Sequence, residues 1–335
     1  MQFLYFDYIR VIAIFLVVLV HVTAPSLLTE DYFVEGWEIC LSMNVMARLG
    51  VPLFFMISGA LFLNPEKRID CSYLRKKIIR LVVAFFVFST LYSVFWFLCK
   101  QHFCFSFDDI IHLCLPRFIN GWFHLWFLQA LVVLYILTPV LRVIIIDKMI
   151  CSYFTILLFC VCSLFPFIGN FINFEPYIGE LLTNMSFQLP QYTLFFILGY
   201  ICSQFQYEIK PWILLVGVCA ILLITIFFDI SQSVAMGHPA ILWSGYLSPF
   251  IIVCSCLVFL FLKKIVPNYS SKMIQMLSAN SFGIYLTHVF LIEGFLRIHY
   301  FPLSRCSGIA YPLLSVTDCH NVFHFNSAIK KNPIV

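Results

Sequence analysis

The sequence predicts an all-α, polytopic bundle of about ten transmembrane helices, and three observations predict it. Of 335 residues, 62% are hydrophobic and only 11% charged, against about a quarter charged in soluble domains. Apolar runs of about 20 residues, the length that crosses a bilayer as a helix, recur along the chain. The segments between them alternate between rich and poor in Lys and Arg, as loops on the two sides of a membrane do.

A chain this apolar cannot cover itself with polar surface, so its solvent is largely lipid. The 39 Phe suit lipid-facing and interfacial positions. A formal net charge of +4 gives no reason to expect nucleic acid as a partner. The 14 Cys are scattered, mostly inside apolar runs, and read as small hydrophobes rather than zinc ligands. The nine His are dispersed, and no metal site is expected.

Nine runs fall at 6–28, 44–63, 81–99, 122–145, 149–170, 188–206, 211–229, 246–265 and 281–298. The first reads as a transmembrane helix rather than a signal peptide, because no A-x-A-like cleavage site follows it. A tenth, at 307–328, is degenerate: Asp318, His320, Asn321, His324 and Asn326 are costly at bilayer depth. Residues 1–300 are therefore read as one transmembrane domain, and 301–335 as an atypical C-terminal segment.

Basic residues cluster in 64–80 (Lys67, Arg68, Arg75, Lys76, Lys77, Arg80), at Arg142 and Lys148, at Lys210, at Lys263, Lys264 and Lys272, and at Lys330 and Lys331. Segment 29–40 has Glu30, Asp31, Glu35 and Glu38 with no Lys or Arg, 171–187 has only Glu175 and Glu180, and 230–245 has no charge. Segment 100–117 is mixed, with Lys100 and Arg117 offset by Asp108 and Asp109. The alternation puts the N-terminus on the cytoplasmic side of a multi-pass membrane protein, and the inner membrane is its expected location.

Ionisable groups inside spans are the first functional candidates. Arg10 and His21 are 11 residues apart, within about 20° on one helix face and about 16 Å apart along the axis. One face thus carries polar groups at two depths. Snorkelling is the plainer account of Arg10, and a helix–helix hydrogen bond of His21. Asp7 can pair with Arg10. Arg48, read as lying at the outer end of the second span, can bind an anion or anchor the helix end. Pro52 and Gly59 would perturb the helix after it. Trp122 and Trp126 suit an interfacial belt that His124 joins. Tyr285 and His288 share a face of the ninth span, in a structural or a catalytic pair. The basic segment with Arg75, Lys77 and Arg80 is either a lipid contact or a clamp for the phosphates of a cytosolic cofactor such as coenzyme A.

These residues carry a resemblance to the integral-membrane acyltransferase family 3. Residues 6–21, with Arg10 and His21 ten residues between, look like that family's opening helix. Residues 51–59, 124–139 and 281–288 are similar to its later signatures. The resemblance implies about ten transmembrane helices and transfer of an acyl group, usually acetyl, from cytosolic acyl-CoA to a hydroxyl of a glycan or lipid-linked sugar. It implies His21 as the catalytic residue, Arg10 as its partner, and Lys77 and Arg80 at the family's Arg-x-x-Arg feature, where Lys77 replaces the first Arg. O-acetylation of surface polysaccharide is the implied process. Rival readings are a transporter or flippase for a lipid-linked glycan, against which stands the lack of internal repeats, and an inactive member, suggested by the unusual C-terminus. The sequence does not set the oligomeric state.

Overall fold

In a computed structural model, residues 4–27, 36–99, 115–172, 190–266 and 271–297 are described. The degenerate tenth run lies outside them, as do Glu30, Asp31, Glu35, Lys100, Asp108, Asp109, Glu175 and Glu180 of the acidic and mixed loops. Among the described residues the fold is all-helical. Six helices or helix pairs are long and apolar enough to cross a membrane.

The helices follow in chain order: α1 (Tyr5–Thr23), α2 (Trp37–Ala47), α3 (Gly50–Phe62), α4 (Cys71–Cys99), the short α5 (Leu115–Asn120) and α6 (Trp126–Ile144). Next come α7 (Lys148–Phe159), a π turn (Cys160–Leu164) and α8 (Phe165–Gly169). The last described helices are α9 (Thr193–Gln204), α10 (Pro211–Met236), α11 (Pro249–Ile265) and α12 (Lys272–Arg297). Caps fix several starts. Asp147 accepts from the N–H groups of Met149 and Ile150 (2.7 and 3.1 Å), and Ser248 accepts from Phe250 (3.2 Å) ahead of Pro249. The π turn precedes Pro166, which has no N–H to offer a regular α turn.

α1 is central, packed on α2, α3 and α12, while α3 packs tightly on α9 and α10 on α11. The α3–α9 crossing is made by two glycines. A Cβ on Gly59 would fall on the Phe196 carbonyl, and one on Gly199 on that of Met56.

Four sequence expectations are corrected. The helix expected at 81–99 starts at Cys71, so Arg75, Lys77 and Arg80 stand on its first turns rather than in a loop. Lys and Arg are good helix formers, and Asp70 caps the start by accepting from Tyr73 N–H (2.8 Å). The second span runs from Trp37 to Phe62, so Arg48 lies at the break between α2 and α3, inside it rather than at its outer end. α3 is not disturbed by Pro52, which sits in its first turn where no N–H is needed, nor by Gly59, which serves close packing. Finally, Trp122 and Trp126 form no outward belt. Trp122 stacks on Tyr92, and Trp126 packs against Tyr192 and Tyr246.

Candidate active site

Arg10 and His21 stand near opposite ends of α1. At the Arg10 end, Nη1 donates to Asp7 Oδ1 (3.1 Å) and to Ser278 Oγ of α12 (3.4 Å), and Ser278 donates to the same Asp7 oxygen (2.6 Å). Nη1 makes both Arg10 contacts. Among the described residues Nε and Nη2 have no partner, so the planar fork keeps donors for a ligand.

A cavity of about 560 Å³ opens beside this triad, within the usual range for small-molecule sites. Arg10, Lys67, Lys77 and Arg80 line it, and Asp7 is the one carboxylate among the described residues of its lining. Rings support the cations from below. The Lys67 ammonium lies 5.9 Å from the Phe62 ring and 5.5 Å from Tyr73, Lys77 lies 5.4 Å from Tyr73, and the Arg80 guanidinium lies 5.3 Å from Phe282. The Asp7–Arg10 pair is the one ion pair among the described residues. The other three cations therefore carry charge that no carboxylate there matches. Lys67 is held by a neighbour: Arg142 donates to the carbonyls of Phe62, Asn64 and Lys67 itself, each at 3.0 Å.

The cavity's far wall includes Tyr285 of α12. Its hydroxyl donates to the His124 carbonyl (2.5 Å), and its own carbonyl bonds His288 Nδ1 (2.7 Å). A carbonyl only accepts, so His288 carries its proton on Nδ1 and its Nε2 is the basic nitrogen. His21 joins these two. Ring centroids are 5.1 Å apart for His21–His288, 5.2 Å for His124–His288 and 6.1 Å for His21–His124. His124 and His288 are 2% and 3% exposed, whereas His21 is half-buried. His288 Nε2 and both ring nitrogens of His124 have no partner among the described residues, and buried polar atoms left so are uncommon. Tyr92 walls the cluster. It stacks on Phe290 at 3.7 Å, meets His124 edge-on at 4.9 Å, and donates to the Leu286 carbonyl (3.0 Å). Among the described residues no three His, Cys, Asp or Glu are arranged to hold a metal ion.

A family model described as an acyltransferase domain, acyltransferase family 3, matches residues 3–317. The chain belongs to this family. No curated protein and no solved structure matches the chain. The match covers the whole cavity and the histidine cluster, and it runs into the segment after 300 that the sequence set apart.

In this family member the structure brings Asp7, Arg10, Lys77, Arg80 and Tyr285 to one cavity, and His21, His124 and His288 to one cluster beside it. It does not bring Arg75 there: that side chain is exposed and does not line the cavity. Arg48 and Trp126 do not line the cavity; they meet at Tyr246 instead, whose ring lies 5.2 Å from the Arg48 guanidinium and 6.1 Å from Trp126. Lys67, Ser278 and Tyr92 were missed by the sequence reading. The signal for Ser278 was present, since Ser278, Ser281, Tyr285 and His288 follow at spacings of three, four and three on one helix face. Starting the ninth span at 281 hid it.

Proposed function

We propose that this acyltransferase moves an acyl group, acetyl being the expected one, from cytosolic acyl-CoA to a hydroxyl of a cell-surface glycan or lipid-linked sugar. The observation that carries this reading is the cavity itself. One end has four cations against one carboxylate, and the other end is Tyr285, bonded to both His124 and His288. In the proposed arrangement the N-terminus is cytoplasmic, in the inner membrane. Lys67, Lys77, Arg80 and Arg10 take the phosphates of the donor, for which unmatched cations and a guanidinium fork are suited. The acyl thioester extends toward the histidines.

His21, less buried than the other two, is the proposed general base. It takes the proton of the acceptor hydroxyl as the oxygen attacks the thioester carbonyl. When the tetrahedral intermediate collapses, the carbon–sulfur bond breaks and the coenzyme A thiolate takes that proton back. The products are the acyl ester and free thiol. His288 and His124, fixed through Tyr285, shape the polar surface around the reacting carbonyl. Lys77 offers a point charge where the family has an Arg fork, so its share of phosphate binding is less directional.

The test is His21→Ala, assayed with labelled acetyl-CoA and by the acyl content of the surface glycan. Transfer is expected to vanish while coenzyme A binding survives. Normal glycan acylation by this variant would remove His21 from the chemistry.

A further inference from the structure

His21 stands in the last turn of α1, which ends at Thr23. Last turns are where helices fray, because their carbonyls have no partner further along the helix. The sequence adds to this. Four residues beyond His21 comes Pro25, which has no N–H for the His21 carbonyl, and the chain passes into a 3₁₀ turn at Ala24–Leu27. A general base needs the opposite of a frayed turn, since a displacement of about 1 Å can cost about 100-fold in rate. The turn has to be held from outside α1.

Asn44 of α2 holds it. This side chain is buried, and its Nδ2 donates to Thr23 Oγ1 (2.9 Å) and to the carbonyl of Val20 (3.4 Å), the residue just before His21. Thr23 Oγ1 in turn donates to the Leu19 carbonyl (2.9 Å) and lies 3.3 Å from that of Val20. Asn44 therefore grips α1 on both sides of His21, at Val20 and at Thr23.

An amide turned the other way would set its oxygen against the Val20 carbonyl. Arg48, one helical turn further on, prevents this. Its Nε donates to Asn44 Oδ1 (3.1 Å), and its N–H to the Asn44 carbonyl (3.0 Å). A guanidinium only donates, so the amide oxygen must face Arg48, which leaves the amide N–H groups for α1. From Arg48 to Asn44 to Thr23 to Leu19 every hydrogen bond runs in one direction. Neither Asn44 nor Thr23 lines the cavity, so this network is separate from the cations there.

We infer that Asn44 is a positioning residue, which holds the turn of α1 that carries His21. Its bearing on the rate rests on the acyl-transfer reading above; the anchoring of His21 does not.

The experiment uses the full chain in lipid nanodiscs with isotope-labelled histidine. The ring signals of His21 are assigned by NMR from their loss in His21→Ala. Asn44→Ala removes the anchor, and Asn44→Asp keeps its shape and its bond from Arg48 but turns an oxygen towards the Val20 carbonyl. Both are expected to shift or broaden the His21 signals. Acyl content of the surface glycan in cells is expected to fall ~10-fold or more, while coenzyme A affinity, read by calorimetry, stays within about twofold. Thr23→Val keeps the shape of Thr23 without its hydroxyl; it decides the matter if size-exclusion chromatography shows that the Asn44 variants do not fold. His21 signals unchanged in the folded variants overturn the inference, as does a fall in coenzyme A affinity that matches the fall in acylation. Displaced His21 signals with normal glycan acylation support the anchor and remove His21 from the chemistry instead.

Discussion

Replacing Gly59 or Gly199 with Ala tests whether the α3–α9 crossing sets the shape of the site. In an unhindered helix such a change stabilises by about 1 kcal/mol, because Gly is the poorer helix former. Here the added Cβ meets backbone, the Phe196 carbonyl from Gly59 and the Met56 carbonyl from Gly199. No side chain can rotate away, so the helices must separate. Overpacking of this kind costs about 1–3 kcal/mol and exceeds the propensity gain. The separation also reaches the site, because Phe55 of α3 packs at a tilt on the cavity-lining Phe127 at 4.6 Å and stacks on Tyr192 at 4.8 Å. Gly283 of α12 is the control: a Cβ there meets nothing within 4 Å. In thermal melts followed by size-exclusion chromatography in detergent, Gly283→Ala should match or exceed wild type. Gly59→Ala and Gly199→Ala should both melt lower, and the double variant should lose less than the sum, since one separation serves both. Melting of both single variants at or above wild type would refute the close-packing account.

Three further outcomes follow from the cavity. Lys67→Ala and Arg80→Ala should each weaken coenzyme A binding about 10-fold or more, with the loss shrinking at high salt, as calorimetry at two ionic strengths would read; unchanged affinity for Arg80→Ala returns that segment to lipid contact. Arg142→Lys keeps the charge but loses the fork that gathers three carbonyls, so coenzyme A binding should fall with it as it does for Lys67→Ala. Tyr285→Phe removes the bond to the His124 carbonyl and should lower kcat about 10-fold with coenzyme A affinity retained, a split that loss of folding would not produce.

Helices were more legible in the sequence than their lengths. The apolar runs mark where lipid is, not where the helix stops. α4 and α12 extend beyond their runs, at Cys71 and Lys272, because Lys, Arg, Gln and Ser continue a helix into water. Those polar turns carry Lys77, Arg80 and Ser278, so reading only the apolar part cut the cationic end of the cavity short. Arg10 and His21 were legible because both lie on one helix, where spacing alone sets their relation. The joining of His21 to His124 and His288 was not, because these come from three elements far apart in sequence, and no local pattern encodes which faces meet. Arg48 was misplaced for a related reason. Glu38 made 29–40 look like a loop, although α2 already begins at Trp37.

The ladders on α1 and α12 bind the two ends of the site into one unit. Arg10 meets Ser278 at one end, and His21 meets His288 at the other. The rise between rungs is 11 residues on α1 and 10 on α12, about 16 and 15 Å, so the rungs match in height. Matching in this order requires the two helices to run parallel. Half of a hydrocarbon core about 30 Å thick separates the rungs. In the proposed reaction, a donor whose phosphates rest on the cations at one rung has to deliver its acyl carbon at the other, about 15 Å away. The cavity opens beside the Arg10 rung and reaches Tyr285, one helical turn short of His288. Inserting a single residue in either helix between its rungs would rotate one rung by about 100° relative to the other, so the two meetings could no longer be made together. Loss of transfer with the helices still folded is the outcome that parallel pairing demands.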